Sequence, residues 1–327
     1  MHSTARGPSL GGCRFWAYAD ARAAMRDALR LSEGMTWKSA VAGLPLGGGK
    51  GVIMSHPGEA LSAARRRDAL LDFGDTVALL GGSYVTAEDV GTSTADMTTI
   101  AERTPHVAGL AAADGGSGDP SPFTALGVLC SIEAALEQHT GSPRLGGRSV
   151  ALIGLGHVGL PLARALTAAG AEVLVADIDP ARQADAAALG ARWVRAEEAM
   201  TAQVDVLCPC ALGGILDHES VPALQAPIVA GAANNQLASA EVAGLLTARG
   251  VLWAPDFVAN AGGIINIAAE FEPQGYDPDR AAARVREIGT TMRMILADAA
   301  AAGVTPLAAA MALARRRVAE GARATSS

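Results

Sequence analysis

The chain has 327 residues, enough for two domains; half are hydrophobic, only 4% are aromatic and the formal charge is −7. An apolar weight carried by Ala, Val, Leu and Ile suits α/β packing rather than a β-sandwich, and the acidic balance excludes a basic nucleic-acid surface. Four cysteines are too few for a disulfide framework, the six histidines form no H-x-x-H or H-E-x-x-H pattern, and no metal site is expected.

In chain order, "ARAAMRDALRLSEGM" from Ala21 and "EALSAARRRDALLDFGDTVALL" from Glu59 show helical spacing, with glycine-rich loops between them. "ADGGSGDPSP" (Ala113 to Pro122) is a break dense in Gly, Pro, Ser and Asp, and a helix is expected from Phe123 to His139. From Ser149 the pattern changes to short apolar runs alternating with helical stretches. The runs "VALI", "EVLVA", "VDVLCPC", "PIVAGAAN" and "GVLWAPDF" read as strands of a parallel doubly wound sheet. After Gly263 the chain turns helical, ending in "PLAAAMALARRRVAEGARA", with Thr325 to Ser327 expected to fray. The expected fold is therefore α/β, with a helical, glycine-rich first part and a doubly wound parallel sheet in the second. Val251 to Ala269, the most apolar stretch, holds Pro255, Asp256, Asn260 and Asn266, so it does not read as membrane-spanning. No signal-peptide core stands at the N-terminus, and a cytoplasmic location is expected. Cys208 and Cys210 have no second ligand cluster nearby and are expected to be packed thiols.

Gly154-Leu-Gly156-His157-Val158-Gly159 matches the dinucleotide fingerprint, and it does so between a strand and a helix. A second strand ends at Asp177, 18 residues after Gly159. In that context the glycines permit close approach of a pyrophosphate, and the helix N-terminus offers it free N–H groups. Asp177 is expected to accept hydrogen bonds from the adenosine ribose. Ile178 and Asp179 follow it, with no arginine nearby to hold a 2′-phosphate, so the cofactor is expected to be NAD rather than NADP.

Lys38 and Lys50 are the only lysines among the 26 Lys and Arg residues, and they lie twelve residues apart in "GMTWKSAVAGLPLGGGKG". Arginine stays charged at any working pH, whereas a lysine amine in dry, cationic surroundings can lose its proton. Lowering it from about 10.4 to about 7–8, the useful range for a base, costs roughly 3–4 kcal/mol. Walker A is excluded, because Gly51 and not Ser or Thr follows Lys50.

Seven blocks occur in order: "GPSLGGCRF", "GMTWKSAVAGLPLGGGKGVI", "YVTAEDVGT", "GDPSPFTALGV", "GLGHVG", "GAANNQL" and "APDFVANAGGIIN". Together they resemble the glutamate, leucine, phenylalanine and valine dehydrogenases, most closely the subgroup acting on apolar amino acids. The resemblance implies NAD-dependent oxidative deamination of an apolar L-amino acid to the 2-oxo acid and ammonia, with branched-chain substrates first and phenylalanine as the alternative. It also implies a homo-oligomer. Lys38 would hold the substrate carboxylate, Lys50 would act in acid–base chemistry and activate water, and Asp89 would relay protons. Leu10, Gly11, Gly12 and Asn260 would line the substrate, and Thr124 and Asn234 would hold the nicotinamide end. The resemblance further implies an N-terminal substrate domain over 1–122, a Rossmann NAD-binding domain over 123–289 and helices over 290–327 that return to the first domain, with a cleft that would close on the substrate. Asp89 could instead cap a helix, and Asn234 and Asn260 could cap turns. In relatives acting on glutamate, the residue before "GG-x-R" resembles a lysine that pairs with the distal carboxylate; here it is Leu10. Family members usually carry a further segment before the first block, so assembly is expected to depart from the family more than chemistry does. A hydroxy-acid dehydrogenase would leave the paired lysines without a role. A non-catalytic binding protein would be expected to have lost Lys50 or Asp89.

NAD should be preferred over NADP by a large factor, since the Asp177 carboxylate repels a 2′-phosphate. Asp177→Ala should weaken NAD binding about tenfold or more, the worth of a hydrogen bond to a charged group, and narrow the preference. Kd values for both dinucleotides, measured on parent and variant, check this.

Overall fold

Short parallel strands set the frame of both compact units into which the chain divides, and the computed structural model describes residues 1–58 and 61–324. The first unit comprises Met1–Pro120, Asn266–Pro278 and the chain from Leu313; the second comprises Ser121–Ile265 and Asp279–Ala312.

In the first unit the elements run β1 (Ser9–Ala17), α1 (Ala21–Val41), β2 (Gly47–Gly48), β3 (Gly51–Ser55), α2 (Ala63–Leu79), β4 (Tyr84–Glu88) and α3 (Thr94–Ala101). β1 is the central strand and every pairing is parallel: its start pairs with β2 and β4, and its end pairs with β3. Asp20 caps α1 by accepting from the Ala23 N–H, and Ser93 with Asp96 forms a capping box on α3. α2 and α3 cover Cys13 and Phe15 of β1 through Leu70, Met97 and Ile100. The helical spacing of this half is legible in the sequence, but its strands are not. β1 is buried along most of its length, as is β4, so neither shows the alternation that marks a one-sided strand. The second helix, expected from Glu59, begins at Ala63; Glu59 and Ala60 lie outside the described residues, as do Thr325 to Ser327.

The second unit runs α4 (Ser121–Thr140), β5 (Ser149–Ile153), α5 (Gly159–Ala168), β6 (Glu172–Ala176), α6 (Arg182–Ala188), β7 (Arg192–Trp193), α7 (Ala196–Met200) and β8 (Val206–Pro209). It continues with α8 (Ser220–Ala223), β9 (Ile228–Val229), α9 (Val242–Ala248), β10 (Leu252–Trp253) and α10 (Asp256–Ala259). The chain then passes through α11 (Gly262–Ala268), α12 (Pro278–Ala302) and α13 (Pro306–Ala324). The sheet order is β10-β9-β8-β5-β6-β7, all parallel, so the strand order reverses between β5 and β8. That reversal leaves a crevice outside the carboxyl ends of these two strands, the usual dinucleotide site of a doubly wound sheet. Ala151, Ile153, Leu207, Val229 and Trp253 form its core, with Val221 and Leu246 from the helices.

The expected return of 290–327 to the first domain needs correction. α12 stays with the second unit, and the return begins at Leu313; a separate piece, Asn266–Pro278, also belongs to the first unit. Close packing explains the first point: a Cβ at Gly127 of α4 would lie 2.7 Å from Ile288 Cδ1, so α12 seats directly on a glycine. The return is fixed by Arg317, whose Nη1 donates to the carbonyls of Ala40 and Val41 at 3.1 and 2.6 Å, while Arg6 donates to the Arg317 carbonyl at 2.7 Å. No single helix among the described residues is long and apolar enough to cross a membrane.

Candidate active site

Four glycines surround Lys50, and each faces a different neighbour. A Cβ would meet the Ser3 carbonyl at 1.9 Å from Gly47, the Thr36 nitrogen at 2.1 Å from Gly48, the Tyr84 ring at 2.5 Å from Gly49 and the Phe73 ring at 2.4 Å from Gly51. The N-terminal residues, α1, β4 and α2 therefore all close on one short stretch of backbone, which no side chain could permit. β1 adds to this packing, because a Cβ on Gly11 would lie 1.8 Å from the Gly49 carbonyl. The Tyr84 hydroxyl ties the two together by donating to the Gly11 carbonyl at 2.7 Å.

The Lys50 side chain is 6% exposed, and its Nζ lies 2.8 Å from Asp89 Oδ2. Burial pushes the amine below its ordinary pKa; Asp89 pulls it back up, and the Arg14 guanidinium pushes it down again. Asp89 follows β4 in a turn pinned by Thr92, whose hydroxyl donates to the Asp89 and Cys13 carbonyls and accepts from the Asp89 N–H. Ser93, not Asp89, caps the next helix, so the capping alternative for Asp89 falls. Gly12 admits the carboxylate: a Cβ there would meet Asp89 Cβ at 2.7 Å. Arg14 lies in the "GGCRF" block, where nothing in the sequence sets it apart from the other arginines. Its Nε donates to the same Asp89 oxygen at 2.9 Å, and its Nη1 donates to Asp27 at 2.8 Å. Lys38 stands half-buried in the last turn of α1. Leu10 is 1% exposed, registered between Gly48 and Val85, and belongs to the packed interior of the sheet. Cys13, also buried, has its thiol pushed up to about 12 by desolvation and stays protonated.

In the second unit, Gly154 has φ +105°, and a Cβ there would lie 2.8 Å from Ala211 Cβ. Gly159 opens α5 directly against the Gly154 carbonyl, where a Cβ would come within 1.9 Å. A Cβ on Gly156 would meet nothing within 4 Å, which leaves the open approach a pyrophosphate needs. His157 is exposed, and Val158 is the residue before the helix. Asp177 stands at the end of β6. Its Oδ2 accepts from the Leu155 N–H at 2.5 Å and its Oδ1 accepts from the Asp179 N–H at 2.8 Å, so the carboxylate also braces the glycine turn. A carboxylate has about four acceptor sites, and two remain for ribose hydroxyls. These residues fit NAD.

Thr124 lies in the first turn of α4, where Gly262 packs against the Phe123 carbonyl. Asn260 Nδ2 donates to Asn234 Oδ1 at 3.0 Å and to the Ala232 carbonyl at 3.1 Å. Asn260 is 6% exposed, and its Oδ1 is a buried acceptor with no partner among the described residues. Such an orphan marks a place where a ligand donor would be welcome.

The frame of this loop went unrecognised in the sequence. Gln236 is fully buried; its Nε2 donates to the Gly231 and Ala233 carbonyls, its Oε1 accepts from Trp253 Nε1, and its N–H donates to Asp256 Oδ2. Asn235 beside it takes φ 52°, the left-handed region asparagine tolerates. The polar cluster Asn234-Asn235-Gln236 and Asp256 inside the apolar "APDF" were the available signal. Cys208 and Cys210 are free, with sulfurs 3.7 Å apart. Among the described residues no group of three His, Cys, Asp or Glu is arranged to hold a metal.

A doubly wound sheet with this glycine turn, in one chain with a buried lysine–aspartate pair, defines an NAD-dependent oxidoreductase. Residues 1–106 match the model described as the dimerisation domain of Glu/Leu/Phe/Val dehydrogenases, and residues 181–325 match the model of the Glutamate/Leucine/Phenylalanine/Valine dehydrogenases. Residues 132–213 match the NAD-binding domain of D-isomer specific 2-hydroxyacid dehydrogenases, a likeness confined to the cofactor half. The chain is 42% identical to an L-tryptophan dehydrogenase of Nostoc punctiforme, covering 100% of this chain and 90% of that protein. It is 44% identical to a valine dehydrogenase of Streptomyces virginiae (98% and 89% covered). It is 41% identical to a leucine dehydrogenase of Bacillus cereus (98% and 86% covered). The crystal structure of the Nostoc punctiforme L-tryptophan dehydrogenase superposes with a TM-score of 0.86 at 40% identity, covering 99% of this chain and 92% of that one. This chain belongs to the glutamate, leucine, phenylalanine and valine dehydrogenase family, oxidoreductases that act on CH–NH2 donors.

Gln236→Leu should leave the Trp253 N–H and two loop carbonyls without partners, at about 1–3 kcal/mol for each stranded group. Denaturant unfolding should show the loss, and titration of NAD should show weakened binding.

Proposed function

We propose that this chain catalyses the reversible, NAD-dependent oxidative deamination of an apolar L-amino acid, with valine, leucine and isoleucine as first choice. The products are the 2-oxo acid and ammonia. One observation carries the reading: a lysine amine that is 6% exposed, 2.8 Å from a carboxylate, in a chain that otherwise uses arginine. Lys38 binds the substrate carboxylate. Neutral Lys50 accepts a proton, and after oxidation of the Cα–N bond to an imine it activates the water that attacks the imine carbon. Asp89 passes protons to and from Lys50. NAD, when bound, accepts the hydride from Cα. The second unit's Gly154, Gly156, His157, Val158, Gly159 and Asp177 hold its adenosine and pyrophosphate, and Thr124 and Asn234 hold its nicotinamide end. Asn260 offers its Oδ1 as an acceptor to a donor group of the bound ligands. Gly11 and Gly12 of β1 border the substrate, and Leu10, buried in the sheet, backs them. Position 10 puts no cation there, so a glutamate side chain would find no partner for its distal carboxylate. The protein works as a cytoplasmic homo-oligomer, with neither nucleic acid nor membrane as a partner. The match of residues 1–106 to a dimerisation domain supports the oligomer.

Lys50→Arg should fold and bind NAD yet lose several orders of magnitude in kcat, because arginine does not release its proton. In the parent, burial lowers the Lys50 pKa, so the neutral amine is available at lower pH than in free lysine. The kcat/KM for deamination should therefore climb with pH through a limb below about 10.4. Turnover of Lys50→Arg within tenfold of the parent would overturn the assignment.

The second test is a side-by-side kcat/KM panel of valine, leucine, isoleucine, phenylalanine, tryptophan and glutamate. An unpaired buried carboxylate costs several kcal/mol, so at about 1.4 kcal/mol per tenfold glutamate should fall at least a hundredfold below the best apolar substrate. The aromatic pair reports how deep the pocket runs.

A further inference from the structure

Asp89 does not serve Lys50 alone. Its Oδ2 accepts from Lys50 Nζ at 2.8 Å and from Arg14 Nε at 2.9 Å. Arg14 Nη1 reaches Asp27 Oδ2 at 2.8 Å, and that oxygen also accepts from the Tyr18 hydroxyl at 2.6 Å. Arg30 Nη2 closes the line on Asp27 Oδ1 at 2.8 Å. Signs alternate from the buried amine outward: Lys50, Asp89, Arg14, Asp27, Arg30.

We propose that Arg14 is a positioning residue of the acid–base pair, bridging Asp89 and Asp27 so that the Asp89 carboxylate keeps a partner whether Lys50 is charged or neutral. This rests on the roles given above to Lys50 and Asp89. A partly buried carboxylate that loses its only cation is left with a costly charge, and that cost opposes deprotonation of the cation. With Arg14 in place, Lys50 can release its proton without orphaning Asp89. The guanidinium also stands as a second positive charge near the amine, which disfavours the charged lysine. Only arginine does both, since its planar fork donates along two directions at once and never deprotonates.

The remaining groups facing this line do not compete. Burial, and then the bond to Asp27, raises Tyr18 to about 12, so its hydroxyl remains a donor. Burial opposes the Asp27 charge, but Tyr18, Arg30 and Arg14 outweigh it and hold the carboxyl below its ordinary value. Cys13 of β1 is raised by burial, then by Asp89, and stays a neutral thiol; Tyr84 of β4 is raised by burial and stays a neutral hydroxyl. The Arg66–Asp96 pair of α2 and α3 is mutually compensated.

The two-lysine composition makes a direct test possible. The full chain labelled with 13Cε-lysine should give two lysine side-chain signals, assigned with Lys38→Arg, and each can be titrated by NMR. In the parent the Lys50 signal should titrate below the ordinary lysine range. In Arg14→Gln its midpoint should move up by on the order of one unit, and the acid limb of kcat/KM should move with it. Arg14→Lys keeps a cation but not the fork. Its Lys50 midpoint should stay near the parent's, while kcat falls tenfold or more with KM little changed. An unmoved Lys50 midpoint in a folded Arg14→Gln, or full parental kcat in Arg14→Lys, overturns the proposal and leaves the base assignment standing. A Lys50 signal titrating at the ordinary value in the parent instead overturns the base assignment itself.

Discussion

A buried ammonium next to a carboxylate is the interaction on which the rest of the first unit depends. Water holds such a charge far more cheaply than protein does, so an amine drawn this far from solvent needs a polar contact, which Asp89 supplies. Enclosure is achieved by bringing neighbouring backbone and the Tyr84 and Phe73 rings onto glycines, where no side chain stands in the way. The N-terminal residues, α1, β4 and α2 each press against a different glycine around Lys50, and β1 presses on Gly49 through Gly11. The sheet built around β1 then delivers Asp89 from the end of β4 to the amine. Gly12 leaves the gap that lets the carboxylate in.

The second unit solves a different problem with the same residue. Gly154 turns, Gly159 lets helix meet strand, and Gly156 stays open. Asp177 braces the turn through the Leu155 N–H before any ligand is considered. A residue of that kind has two reasons to be aspartate, one structural and one for recognition. Loss of cofactor affinity on its removal therefore combines a missing ribose contact with a loosened turn.

Lysine was visible in the sequence because it is rare here; Arg14 was invisible because it is one of many arginines, and only position tells it from a solvated one. The doubly wound half was legible because its strands are short apolar runs separated by helices of ordinary length. The first half hid its strands, since β1 and β4 are buried along most of their length and carry no period-two signal. The end of the second unit was misplaced by about twenty residues for a similar reason. α12 and α13 are both amphipathic and rich in alanine, and nothing in their spacing says which core each one joins. The Gly127–Ile288 approach and the Arg317 bonds decide it, and both are contacts between residues far apart in the chain. Gln236 in its polar cluster and Asp256 in an apolar run were legible, but their bonding to one another through the loop backbone was not.

The bond from Arg6 to the carbonyl of Arg317 spans nearly the whole polypeptide. During synthesis the amino-terminal strands emerge first, yet the helix whose Arg317 donates to Ala40 and Val41 follows 276 residues behind Val41. The nucleotide-binding unit, by contrast, has all its strands available once residue 253 has left the ribosome. Domains made in one piece fold in the order they appear. Here the order is interleaved: the strands around Lys50 come first, the second unit is completed by α12, and only after it does the chain from Leu313 return to the first unit.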